Sequence, residues 1–462
     1  MRTLVIRHHL LLIVTLAIGV RLAIFLAFPG IFRFDQNASI HGSDAYDAYA
    51  QNLLATGVYG REPGGPDAQI PPLYSYALAA VYEVFGRSAL AVAGFHIALD
   101  VVCILCLYHT GKRLFATYGQ WIGVVACLAY ALYPYLIFQN LTLIDTPFFM
   151  AQLHAFVLLL VLLRERLRWD RGTLLLALLT GVVLGLSLLT RALLPLLAVL
   201  GALWFLFRLS FWETVRRLLP VALVGLLVVV PWIVRNFQIY DAFVPTALNF
   251  GDNFYQGNSI YTIPYFRAGY DVQWVPPPEG PASEDWLIRA RNLYNAGWEY
   301  LRTYPEQIPD LLWVKFLVHW SIDIAPRRNP IAGEVPRLDY EGNVIAETDA
   351  EGNLQLGALP PGDPVDVYSS SLFDQVGRTV HVVYWGGLLL LSVIGIGVTI
   401  RQWRAVALLW FVQITMTVMY VIFHPSTRYR VPSDPLLFLF AGAAMVLLAV
   451  RWREKSTSRV KS

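Results

Sequence analysis

Residues 218–234 read LLPVALVGLLVVVPWIV, an apolar run without a single charge. Residues 10–28, LLLIVTLAIGVRLAIFLAF, and 175–189, LLALLTGVVLGLSLL, repeat the pattern, with only Arg21 interrupting it. A bilayer core about 30 Å thick takes roughly 20 such residues per helix. The whole chain agrees: of 462 residues, 56% are hydrophobic and 15% charged, where a soluble domain carries roughly 25% charged residues. An all-α polytopic membrane protein is the expectation. A cytosolic enzyme, a disordered chain and a disulfide-rich secreted scaffold are excluded by the same balance.

Working outward, membrane helices are expected near 10–28, 88–110, 119–137, 148–163, 173–190, 192–207, 218–234, 378–400, 405–423 and 434–450. Lys and Arg in the connections orient them. Arg2, Arg7, Lys112, Arg113, the Arg164–Arg171 group, Arg208, Arg216, Arg217, Arg401, Arg404 and the basic C-terminal tail fall on one side. The short connections opposite hold only Arg191, Arg428 and Arg430. Both termini are therefore expected in the cytoplasm of a cell inner or plasma membrane. The first helix reads as a retained anchor, because no small-residue cleavage site follows Phe28. A net charge of +3 offers nothing to a nucleic acid. Cys103 and Cys106 form a C-x-x-C within an apolar run, where packing outweighs redox chemistry because no polar flank activates a thiolate.

This topology puts two long segments outside, about 29–87 and 235–377, and function is expected there. The organisation is then 1–235 as a transmembrane core with the first outer loop, 236–377 as a large outer segment, and 378–462 as C-terminal helices and tail. In the first loop, Ser43 suits a helix start and Gly57 a stop; Pro71 and Pro72 open a second helix closed by Gly86. Two short helices along the membrane surface fit this loop. Asp44 falls in the first turn of the first, favoured there by the helix dipole as a cap or as a site.

GSDAYDAYAQNLLATGVYG and PPLYSYALAAVYEVFGRS resemble the first outer loop of GT-C glycosyltransferases, in particular bacterial relatives of the protein O-mannosyltransferases and the lipid A aminoarabinose transferase. LTLIDTPFF, PWIVRNFQIYDAFVPTALNFGDNFYQGN and TRYRVPSDPLLFLFAG extend the resemblance in order along the chain. It implies a GT-C fold with about ten or more transmembrane helices, two juxtamembrane helices and a small outer-face α/β elaboration. It also implies an inverting transfer of a monosaccharide from a polyprenyl-phosphate donor to a hydroxyl of a glycan, lipid or protein acceptor.

In such a reaction a carboxylate takes the acceptor proton, and Asp44 matches the family's acidic position. Many relatives carry Glu next, where this chain has Ala45, and Asp47 one turn on is the substitute expected to touch substrate. Asp145 in LTLIDTPFF is the second catalytic candidate, with a helix N-cap as the competing role. The leaving phosphate calls for arginine forks, assigned to Arg235, Arg428 and Arg430; the last two alternate and would face one way in an extended turn. Lipid headgroup contact by snorkelling side chains competes with that assignment. Tyr46, Tyr74, Asn236 and Asn258 complete the set expected at the substrate. No cofactor or metal is expected, since a clear third carboxylate is missing, although a divalent ion between Asp44 and Asp145 stays open.

His96 and Asp100 are ionisable residues inside a span, the starting point for a second reading as a lipid or polysaccharide transporter. Interhelical pairing of Arg21 with Asp100 is the structural alternative. Residues 308–324 are apolar yet hold Lys315 and His319, and are expected to lie on the surface or re-enter. In 325–377, two E-G-N turns recur ten residues apart, which predicts a β-hairpin.

Overall fold

A computed structural model describes residues 2–28, 30, 32, 34, 43–278, 283, 285–329, 338–343, 346–348, 354–356, 365–366 and 372–461. Its helices are α1 (Arg2–Ala27), α2 (Ser43–Thr56), α3 (Leu73–Phe85), α4 (Ala89–Leu114), α5 (Gly119–Ala131), α6 (Pro134–Asn140), α7 (Thr146–Glu165), α8 (Arg171–Leu188) and α9 (Leu194–Leu206). They continue as α10 (Phe211–Tyr240), α11 (Phe250–Gly257), α12 (Thr262–Ala268), α13 (Trp286–Thr303), α14 (Ile308–His319), α15 (Leu372–Thr399), α16 (Trp403–Ile422), α17 (Thr427–Arg430) and α18 (Asp434–Lys461).

Each of the ten expected membrane segments is helical, but 119–137 is broken into the separate helices α5 and α6. Among the described residues, seven helical stretches are long and apolar enough to cross a bilayer. One of these, Gln375–Ile422, runs 48 residues through α15 and α16, more than twice what one crossing of about 20 residues takes. An eighth span is possible if α5 and α6, bent by 61° at their junction, act together. At 13 residues, α9 is short for a crossing. The chain is a multi-pass membrane protein.

It divides into two compact units. The first comprises residues 1–246, 384–415 and 431–462. One of its close seams joins α8 to α10. A Cβ on Gly181 would stand 2.7 Å from the Val221 carbonyl oxygen, and one on Gly185 would stand 2.5 Å from the Val228 Cβ. Lipid tails are as apolar as leucine, so membrane helices associate by close backbone approach at small residues. Buried between α1 and α4, Arg21 pairs with Asp100, which also accepts hydrogen bonds from Tyr130 and Asn140. That is the interhelical bond anticipated from sequence. Cys103, Cys106 and Cys127 are buried and free, as packing residues should be.

The second unit comprises 247–383 and 416–430. Glycines again permit its packing: a Cβ on Gly251 would lie 2.1 Å from the Ala290 carbonyl oxygen, which brings α11 against α13. Two antiparallel strand pairs complete it, β1 (Arg328–Asn329) with β4 (Val365–Asp366) and β2 (Ala346–Thr348) with β3 (Leu354–Leu356). The β2–β3 pair is antiparallel, as a hairpin requires, and the second E-G-N, 351–353, lies outside the described residues. The first closes a turn in which Asn343 N–H donates to Asp339 at 2.8 Å and Gly342 takes φ +85°.

Candidate active site

The first loop of the first unit is built on α2. Asp44 lies in its opening turn, and the helix stops at Gly57, whose φ of +73° suits a residue without Cβ. Asp47 pins α2 in place. One of its oxygens accepts from the Tyr82 hydroxyl at 2.8 Å and Arg87 Nε at 3.0 Å; the other accepts from Arg87 Nη2 and Gln51 Nε2, both at 2.8 Å. Burial, reinforced by Asp47, raises the pKa of the Tyr82 hydroxyl well above its ordinary value. With four donors and 4% exposure, Asp47 is a strut. The substrate role expected for it does not fit this geometry.

Tyr46 sets its ring edge-on to Tyr74 with centroids 5.1 Å apart. Tyr74 is also turned inward, its hydroxyl 2.9 Å from His96 Nε2, while His96 Nδ1 lies 3.1 Å from the Asn140 carbonyl. A carbonyl only accepts, so in the neutral ring Nδ1 donates and Nε2 accepts from Tyr74. Burial, then Tyr82 and the Asp145 carboxylate, push Tyr74 well above the ordinary tyrosine pKa. Tyr74 is 1% exposed, so it shapes the site from behind.

Between α2 and α3, residues 57–72 fold into a tied loop. The Asn52 amide donates to the Gly60 and Glu62 carbonyls at 2.8 Å each. Asp67 accepts from the Arg61 and Gln69 backbone N–H groups at 2.8 and 3.0 Å and from the Tyr49 hydroxyl. Gly60 is obligatory, because a Cβ there would fall 1.7 Å from the Gly65 carbonyl oxygen. Two side chains of opposite charge hold this loop. Arg61 Nη2 approaches Asp44 at 3.6 Å. On the α10 side, Arg235 donates to the Asp67 carbonyl at 2.7 Å and to the Tyr59 carbonyl.

The Arg235 guanidinium also lies 4.5 Å over the Trp232 ring, a favourable cation–π position. A cavity of about 580 Å³ opens beside it, walled by Tyr59, Leu73, Tyr76, Leu189 and Trp232. The pocket is apolar with a single cation, a combination suited to an amphiphile with an anionic end. Asn236, expected at the substrate, is buried and donates to the Val244 carbonyl at 3.0 Å, fixing the chain after α10.

Asp145 occupies the N-cap position of α7, yet its side chain makes no capping bond. It forms a bidentate pair with Arg191, whose Nε and Nη2 donate at 2.7 and 2.6 Å. Arg191 Nη2 also donates to the Thr146 hydroxyl at 2.9 Å. Arg191, one of the few basic residues in the short connections, is thus paired with a carboxylate 46 residues away in sequence.

The remaining candidates belong to the second unit. Arg428 and Arg430 lie in α17, a helical turn, which corrects the extended turn expected of them. Residues two apart on a helix do not share a face, so the two guanidinium groups diverge. Arg430 is fully buried and donates to the Ser321 and His319 carbonyls at 2.7 and 3.2 Å. Asn258 donates to the Phe254 and Ile422 carbonyls at 2.8 and 3.0 Å and accepts from Lys315 Nζ at 3.0 Å. Among the described residues, no three His, Cys, Asp or Glu side chains gather where they could hold a metal ion.

Sequence reasoning missed Arg61, Asp67 and Trp232. Only the glycine- and proline-dense stretch YGREPGGPDAQIPP (59–72) hinted that the loop was structured.

Residues 69–234 match the family model described as "Dolichyl-phosphate-mannose-protein mannosyltransferase". No curated protein matches the chain. Among solved structures, the oligosaccharyltransferase of Archaeoglobus fulgidus, in complex with Zn and sulfate, aligns with 96% of this chain and 49% of its own at 13% identity and TM-score 0.52. The archaeal oligosaccharyltransferase AglB from Archaeoglobus fulgidus, in complex with an inhibitory peptide and a dolichol-phosphate, aligns with all of this chain and 52% of its own at 12% identity, TM-score 0.52. ArnT from Cupriavidus metallidurans aligns with 93% of this chain and 76% of its own at 15% identity, TM-score 0.40. The chain spans about half the length of the archaeal protein, and the likeness is one of fold.

Proposed function

We propose that this chain, a membrane protein of the GT-C class and protein-mannosyltransferase type, is an inverting glycosyltransferase. Its donor is a monosaccharide on a polyprenyl phosphate, its acceptor a hydroxyl of a glycan, lipid or protein, and its working face the periplasmic or extracellular one. One observation carries the reading. A carboxylate, Asp44, and a guanidinium beside an amphiphile-sized pocket, Arg235, hold the same short loop from two sides. The dolichol-phosphate bound to the archaeal oligosaccharyltransferase supports a lipid phosphate as ligand for this fold.

In this mechanism Asp44 removes the acceptor proton as its oxygen attacks the anomeric carbon, a step of general base catalysis. Arg61, 3.6 Å away, orients the carboxylate until an acceptor arrives. The lipid phosphate leaves with the electron pair of the broken bond, and fixed arginine charge stabilises it. Arg235 takes that role in the pocket. Asp145 contributes through its pair with Arg191, which fixes the start of α7. The cytoplasmic placement of both termini is supported by the clustering of Lys and Arg on one set of connections.

The test is transfer of radiolabelled mannose from polyprenyl-phosphate mannose into an envelope fraction by the protein in nanodiscs. Time-dependent labelling with inverted anomeric configuration, lost in Asp44→Asn, is the expected result. Equal transfer by Asp44→Asn would remove the base. Failure of every polyprenyl-phosphate sugar to label the fraction would remove the activity.

A further inference from the structure

The helix α14 is built inside out. Its buried side consists of Leu311, Lys315 and His319 at helical spacing, the last two with no exposed surface. Its other side presents Leu312, Trp313, Phe316 and Leu317 at 43%, 58%, 40% and 50% exposure. In water a helix places its apolar stripe inward and its charges outward. Here the amine and the imidazole face the protein and the large apolar groups face away. That polarity is stable where the surroundings are apolar.

The polar side has protein partners. Lys315 donates to Asn258 and, at 3.4 Å, to the carbonyl of Ile422, the last residue of α16. The His319 carbonyl accepts from Arg430, and its ring stacks over Tyr420 of α16 at 6.2 Å. So α14 is fastened to the end of a membrane-spanning helix. Val418 and Ile422 of that helix are themselves exposed apolar residues, at 41% and 44%. The opposite end is polar, with Asp310 pairing with Arg267 at 3.0 Å and accepting from the Tyr340 hydroxyl at 2.6 Å. Twelve residues span about 18 Å as a helix, too little to cross a bilayer.

We infer that α14 is a lipid-embedded half-helix, with the Leu312, Trp313, Phe316 and Leu317 face against the bilayer and the Asp310 end at the aqueous boundary. The occupant of the face is lipid. Trp313, stacked on Phe316 with centroids 5.8 Å apart, supplies an amphipathic ring of the kind that membrane interfaces favour. The inference stands apart from the catalytic reading above.

Spin labels test it in the full chain reconstituted into phosphatidylcholine–phosphatidylglycerol vesicles. Trp313→Cys, Phe316→Cys and Leu317→Cys are labelled one at a time, with exposed Glu299→Cys as the aqueous reference. The native cysteines are buried and stay unlabelled. Collision with oxygen relative to a water-soluble nickel chelate should be at least fivefold higher at 313, 316 and 317 than at 299. Ratios equal to that at 299 would overturn the inference. So would dipolar broadening at these sites that disappears on dilution with unlabelled protein, because a second copy would then cover the face. Three separate surface positions keep the test independent of any one variant's folding.

Discussion

Arg191 embraces Asp145 through two parallel hydrogen bonds of 2.7 and 2.6 Å, both side chains being almost fully buried. Breaking a buried pair by removing one partner costs about 3–5 kcal/mol, whereas replacing both with apolar groups is close to neutral. Arg191→Met alone should therefore lower the unfolding midpoint in detergent sharply. The double variant Asp145→Leu/Arg191→Met should recover most of the loss. A double variant as unstable as the single one would show that Asp145 is needed for more than pairing.

Asp44 behaves differently. Its ion pair with Arg61 is 3.6 Å long, and Arg61 is 41% exposed, so the pair contributes roughly 0–1 kcal/mol. Asp44→Asn should leave the unfolding midpoint unchanged while transfer falls about 10²- to 10⁴-fold, the scale of a lost general base. Parallel melting curves and initial rates separate the two effects.

At Arg235 a planar fork serves two carbonyls, Asp67 and Tyr59, which a lysine ammonium does not reproduce. Both Arg235→Ala and Arg235→Lys should weaken binding of undecaprenyl phosphate. The alanine variant should lose about 1.5–3 kcal/mol, as for a hydrogen bond to a charged group. Titration by quenching of tryptophan fluorescence measures it, and full affinity in the lysine variant would contradict the fork.

Burial lowers the pKa of Lys315 to about 7. The unfolded chain, with an ordinary lysine value, binds this proton up to about pH 10.4. Between those limits the unfolded state holds more protons, so stability rises with pH across the window and the penalty is complete below it. His319 and His424, which face the same interior, are held by burial at about 3 and 4 and stay neutral throughout. Lys315→Met should flatten the rise in unfolding midpoint from pH 7 to 10 relative to the parent. A parallel rise in both proteins would assign the effect elsewhere.

The α8–α10 seam makes a steric prediction. Gly185→Leu would drive a side chain into Val228 and the Gly225 carbonyl, where even a Cβ stands at 2.5 and 2.7 Å. Overpacking costs about 1–3 kcal/mol, and the helices must separate. Loss of folded yield in Gly185→Leu, with Gly172→Leu near the start of α8 unaffected, checks this by size-exclusion profile.

How far residues revealed structure depended on the range of the interaction. Membrane helices are written locally, since an apolar run such as 218–234 has one stable state in lipid, and α2 and α3 carried their stop signals at Gly57 and Gly86. Arg21 and Asp100 could be paired because buried charges in lipid need partners. The alternation of Arg428 and Arg430 misled, because TRYR closes into a helical turn that tertiary contacts to residues 319–325 stabilise. Asp47 looked like a free carboxylate one turn from Asp44; its partners, Tyr82 and Arg87, lie 35 and 40 residues away. The Arg235 grip on Tyr59 and Asp67 spans more than 160 residues, and no local pattern encodes it.

The 61° bend between α5 and α6 interrupts the backbone ladder in a medium that offers no water to repair it. Arg21 Nη1 donates to the Ala131 carbonyl at 3.0 Å, so one guanidinium both neutralises Asp100 and patches the broken helix. Straightening α5–α6 would withdraw that acceptor and leave Nη1 only its longer, 3.3 Å bond to the Ala17 carbonyl of its own helix. The kink and the buried arginine are therefore coupled, each easing the burial of the other's polar groups.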